Sequence, residues 1–99
     1  GGPVKWMAPE SLKAPVYSKK SDVFSFGVLL YEIFAVAPPW PSTSLFDVAT
    51  RVVAGERMTV PPIEKPKYAS GQQLMKDCWH AEPEQRWTSV TRSCWLCVR

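Results

Sequence analysis

The longest apolar run in the chain is Ser21 to Val36, SDVFSFGVLLYEIFAV. Val23, Phe24, Phe26, Val28, Leu29, Leu30, Tyr31, Ile33, Phe34 and Val36 leave few polar positions in it. Ser21 is placed to accept hydrogen bonds from the free N–H groups of a first helical turn, and Asp22 complements the positive end of the helix dipole. Pro38-Pro39 stops such a helix, because proline lacks the donor and disfavours helical geometry in the residue before it. The pattern predicts a helix of about four turns, apolar nearly all round, and such a helix is normally buried on every side. Asp22 and Glu32 interrupt it, and it falls short of the roughly 20 apolar residues that a bilayer requires.

Shorter segments flank it. Gly1 to Lys5 reads as an extended loop, and Pro9 suits the first turn of a short helix over Pro9–Lys13. Ala14 to Lys20 reads as a polar loop carrying Pro15, and Pro38 to Ser44 as a rigid turn around Trp40. From Ser44, the spacing of Leu45, Val48, Ala49, Val52 and Val53 predicts an amphipathic helix. Asp47, three residues on, completes a capping box with the shorter acid, and Gly55 is the stop signal. Glu56 to Tyr68 is a connector broken by Pro61, Pro62 and Pro66. Another helix is expected from Ser70 or Gly71, with Leu74, Met75, Cys78 and Trp79 on one side. A last helix is expected from Thr88 or Ser89, showing Val90, Cys94, Trp95, Leu96 and Val98. No strand pair or repeat emerges. The expected fold class is all-α, a buried central helix with about four shorter helices around it.

Composition narrows the function classes. At 99 residues, with 45% hydrophobic and 21% charged, the chain suits one small globular domain or a piece of a larger one. The net charge of +3 comes from scattered Lys and Arg, with Lys19-Lys20 the only adjacent pair. That is too dilute for a nucleic-acid footprint, which needs a clustered basic face. Cys78, Cys94 and Cys97 are an odd set that points to a reducing compartment. Cys94-x-x-Cys97 has no second pair and a single His80 beside it, short of the paired spacing of a zinc site. Glu82 and Glu84 flank Pro83 in a polar loop and read as solvated. No residue pattern by itself forms an active site.

The order of short motifs is more informative. Pro3-Val4-Lys5-Trp6-Met7-Ala8-Pro9-Glu10 comes first, then Ser21-Asp22-Val23-Phe24-Ser25-Phe26-Gly27. Asp77-Cys78-Trp79 follows, and then Gln85-Arg86. In this order and spacing they resemble the C-terminal part of a protein kinase catalytic domain, of the tyrosine kinase group. The resemblance runs to Arg92, which makes residues 1–92 a partial kinase domain and 93–99 a divergent tail.

The resemblance implies roles. Ala8-Pro9-Glu10 would end the activation segment, with Glu10 paired to Arg86 as a structural ion pair. Asp22 would anchor the backbone of the catalytic loop. Pro3, Val4, Lys5 and Trp6 would form the substrate-facing loop, Pro3 offering a flat face to the acceptor tyrosine ring and Val4 lining the pocket for the next residue. Tyr17 and Tyr31 read as packing residues rather than regulatory sites. The sequence departs from the family where Phe24 replaces Trp, Ser42 replaces the glycine of a proline–glycine turn, and Trp87 replaces proline.

The Gly-rich loop, the strand Lys, the catalytic-loop Asp and the Asp of Asp-Phe-Gly, all needed for phosphoryl transfer, lie upstream in the family. The expectation is therefore no catalytic residue and no metal ligand in this chain, with ATP and magnesium belonging to the parent. The parent would phosphorylate tyrosine in protein substrates, on the cytoplasmic side of the membrane whether soluble or part of a receptor. The partners expected for this piece are that substrate and the missing N-lobe and catalytic loop, with no nucleic acid and no membrane segment. Two alternatives stay open: a fragment of a tyrosine-kinase-like Ser/Thr kinase, and a non-catalytic helical interaction module derived from a kinase.

Overall fold

The computed structural model describes residues 3–87. Within them the chain forms four α-helices, α1 (Pro9–Lys13), α2 (Lys19–Ala35), α3 (Leu45–Val53) and α4 (Ser70–Cys78), and 3₁₀ turns at Val4–Trp6, Pro66–Tyr68 and Pro83–Gln85. No strand occurs among the described residues. The last helix expected from Thr88, with Cys94, Cys97 and the tail, lies outside them.

The central helix starts two residues earlier than its apolar run suggests. Ser18, not Ser21, is the N-cap, its hydroxyl accepting from the N–H groups of Lys20 and Ser21. Ser21 closes the box from the third position. Its Oγ accepts from the Ser18 N–H at 2.7 Å and donates to the Ser18 carbonyl at 2.8 Å. The far end is set by Val36 in the left-handed conformation (φ 52°, ψ 46°) rather than by the prolines, which come after the helix has ended.

Nor is α2 buried all round. Phe24, Gly27 and Val28 are buried, whereas Phe26, Leu29 and Ile33 lie 41%, 47% and 60% exposed. Their spacing of three and four places them on one face of the helix. Tyr17, expected to pack, is 70% exposed in the loop ahead of α2, while Tyr31 is half-buried against Trp79 with ring centroids 6.4 Å apart.

α4 packs on α2, and α1 and the Val4–Trp6 turn pack on α3. The core between them is Ala8, Phe24, Val28, Trp40, Val48, Val52, Met75, Cys78 and Trp79. Gly27 permits the α2–α4 approach. A Cβ there would lie 2.6 Å from both Cys78 Cβ and Trp79 Nε1. On α3 the middle of the apolar stripe, Val48 and Val52, is buried, and its ends, Leu45 and Val53, stay exposed. The Ser44 hydroxyl caps the helix by accepting from the Asp47 N–H. At the other end Gly55 (φ 101°) turns the chain, its N–H donating to Val52 O and that of Glu56 to Arg51 O, the paired bonds of a Schellman motif.

Candidate functional site

Pro9 opens α1 at a position where its missing donor costs nothing, and this sets Glu10 in the first turn with its side chain facing the rest of the fold. Arg86 follows the Pro83–Gln85 turn in extended geometry and is 2% exposed. Its Nη1 donates to Glu10 Oε2 and its Nη2 to Glu10 Oε1, each at 2.7 Å, across 76 positions of sequence. The same guanidinium donates to Lys20 O at 2.9 Å and, through Nε, to His80 O at 2.8 Å. One side chain thus joins α1, the first turn of α2 and the loop after α4. A planar fork of donors that stays charged when buried suits this bidentate geometry. The hydrogen bond from Arg86 holds the Glu10 carboxyl below its ordinary range, against an opposing effect of burial.

Phe24 lies under this pair, with the Arg86 guanidinium carbon 5.2 Å from its ring centroid and that of Arg57 5.1 Å away. Arg57 was not singled out by sequence. Its Nε donates to Trp79 O at 2.8 Å, and its Nη1 to Val52 O at 3.1 Å and Glu56 O at 2.7 Å. It therefore places a cation at the carbonyl ends of α3 and α4, where the helix dipoles favour positive charge. Burial, and then the like charge of Arg86, push its guanidinium down from its usual value. The signal available in sequence was a basic residue just past a glycine helix stop.

The turn Val4–Trp6 sits beside these elements, closed by the Trp6 N–H donating to Pro3 O at 2.9 Å. It is a 3₁₀ turn rather than the extended loop suggested by Gly-Gly-Pro. Three side-chain bonds hold it: Trp6 Nε1 donates to Glu32 Oε1 at 2.7 Å, Ser25 Oγ to Trp6 O at 2.7 Å, and Lys5 Nζ to Trp40 O at 2.9 Å. Pro3 is exposed and Val4 half-buried. Asp22 stands exposed on the first turn of α2, its N–H donating to Ser18 O at 3.1 Å and its carboxylate without a hydrogen-bond or ion-pair partner among the described residues.

Among the described residues no group of three or more His, Cys, Asp or Glu side chains could hold a metal ion. No helix there is long and apolar enough to cross a membrane. The donor set of the described residues does not fit a magnesium–nucleotide group.

Comparison with known proteins bears on the same stretch. The family described as protein tyrosine and serine/threonine kinase matches residues 1–92. The chain is 46% identical over 86 residues to vascular endothelial growth factor receptor 1 of Mus musculus, covering 85% of this chain and 6% of that protein. It is 45% identical over 87 residues to fibroblast growth factor receptor 1 of Xenopus laevis, covering 85% and 10%. It is 51% identical over 85 residues to megakaryocyte-associated tyrosine-protein kinase of Mus musculus, covering 85% and 16%. The chain therefore spans a small part of the length of these relatives. Given the match along nearly its whole length and an all-helical fold, the chain belongs to the protein tyrosine and serine/threonine kinase family, as a stretch of its helical lobe.

Proposed function

We propose that the complete protein is a tyrosine kinase that transfers the γ-phosphate of ATP to tyrosine in protein substrates, and that this stretch supplies the substrate-facing turn and its helical support. The observation that carries the reading is the turn Val4–Trp6, held by three side-chain bonds immediately ahead of a Glu10 that is locked bidentately to Arg86. A surface that must present a tyrosine hydroxyl in line with a phosphate has to be held to within a fraction of an ångström, and bonds of this kind do that.

In this reading Pro3 offers its exposed ring face to the acceptor tyrosine and Val4 lines the site of the next residue. Lys5 and Trp6 hold the turn. Asp22, free on the first turn of α2, anchors backbone N–H groups of the catalytic loop. ATP and magnesium are held by parts of the protein outside this chain. The location is intracellular, in a soluble enzyme or on the cytoplasmic side of a receptor, and the partner is a protein rather than a nucleic acid. The names of the relatives, two growth factor receptors and a tyrosine-protein kinase, support this.

The test is to express the complete reading frame that contains these residues and assay it with magnesium–ATP on tyrosine and on serine/threonine peptides. Phosphotyrosine product that is lost in Arg86→Ala is the expected result. Transfer to serine or threonine alone would establish the tyrosine-kinase-like Ser/Thr alternative. No transfer from a folded, ATP-binding protein would leave the non-catalytic module.

A further inference from the structure

We infer that Lys5 is a positioning residue, which sets the shape of the substrate-facing turn by tying it to a left-handed peptide at Trp40. This rests on the proposed reading of residues 3–6. Lys5 is half-buried, and its ammonium donates to the Trp40 carbonyl at 2.9 Å, 35 residues away. It forms no ion pair with a carboxylate among the described residues. Its charge is directed inward, as a charge-assisted bond to a backbone oxygen.

The acceptor is in an uncommon state. Trp40 has φ 47°, a left-handed conformation that is rare and strained for a bulky side chain. It is flanked by Pro39 and Pro41, its indole is buried in the core, and its N–H donates to Met58 Sδ at 3.3 Å. Val36 (φ 52°) and Ser42 (φ 64°) share the left-handed region, so strain is concentrated in the α2–α3 connection. Such a conformation persists where its surroundings over-determine it. Here they leave the Trp40 carbonyl aimed at the ammonium of Lys5.

On the other side, Trp6 is bound to α2 through Glu32 and Ser25. The turn is thus held from α2 by Trp6 and from the α2–α3 connection by Lys5, and Val4 lies next to both holds. Without the lysine donor the second hold is lost, and the turn keeps only its bonds to α2 and its packing on α3. A second consequence concerns specificity. An ammonium spent on Trp40 O does not meet an acidic residue of the substrate.

The experiment uses the complete enzyme, with Lys5→Met to remove the donor while keeping the stem and Lys5→Arg to restore one. Lys5→Met is expected to raise KM for a tyrosine peptide about tenfold, the effect of one charged hydrogen bond, and to leave KM for ATP unchanged. Lys5→Arg is expected to recover most of the loss. The preference between acidic and neutral residues after the tyrosine stays as in the parent enzyme. Amide hydrogen exchange over residues 3–7 and 39–43 is expected to quicken in Lys5→Met and slow again in Lys5→Arg. An unchanged peptide KM, an equal rise in both KM values, a loss of acidic preference, or unchanged exchange would overturn the proposal. If the parent enzyme phosphorylates no tyrosine, the proposed function falls, and the exchange measurement still decides whether Lys5 positions the turn.

Discussion

The Arg86 guanidinium spends its fork entirely inside the fold, on the two oxygens of Glu10 and on the carbonyls of Lys20 and His80. Removing either partner strands the other charge, so Arg86→Ala should cost about 3–5 kcal/mol in denaturant unfolding. The pair also carries a pH signature. Arg86 holds the Glu10 carboxyl below its ordinary value in the folded chain. The unfolded chain therefore binds the proton more readily as pH falls. This contribution is complete above the ordinary carboxylate pKa, about 4.3, and is lost as pH falls through the lowered folded value. Unfolding midpoints followed across that window should decline on acidification, and Glu10→Gln should flatten the decline. A second residue-scale constraint is Gly27. A methyl there would lie 2.6 Å from the Cβ of Cys78, an atom that moves only with its helix backbone. Gly27→Ala should cost about 1–3 kcal/mol through overpacking, measurable as a lowered unfolding midpoint, or else force α4 away from α2.

Among the elements, α2 owes its start to two serines acting reciprocally. Ser18→Ala removes the acceptor for two N–H groups and should cost about 1 kcal/mol. Ser21→Ala should lose less, since it leaves that acceptor in place. A reversed order of these two in thermal denaturation would return the cap to Ser21. The connection between α2 and α3 carries the opposite kind of feature. Ser42 adopts φ 64° where glycine would do so without penalty. Ser42→Gly should therefore raise stability by up to about 1 kcal/mol, and equal or lower stability would mean that the side chain earns its place by a contact. The elements legible in advance were those whose signals are local. α1 runs over the expected Pro9–Lys13, α3 ends ahead of Gly55, and α4 begins at Ser70. Sequence points to Ser21 as the cap of α2 and the structure uses Ser18, because both serines are competent acceptors and the choice between them depends on where the preceding loop leaves the chain.

At the scale of the whole molecule, the face of α2 formed by Phe26, Leu29 and Ile33 is exposed. An apolar face of this kind favours association. The isolated 99-residue chain should self-associate or bind a hydrophobic dye, and Leu29→Glu with Ile33→Glu should suppress this while far-ultraviolet circular dichroism stays unchanged. Monomeric, dye-silent behaviour of the unmodified chain would count against it. Sequence alone determined the helical class, the order of the helices and the kinase motifs, because periodicity, caps and prolines act over a few residues. It also carried the resemblance that related Glu10 to Arg86, which no local pattern joins. The tertiary structure alone decided which side of α2 is covered, how Lys5 and Trp6 are held, and that Arg57 closes two helices at once. Those outcomes depend on which backbone carbonyls and ring faces the packing brings within about 3–5 Å of a charge, and residue spacing along the chain does not encode that.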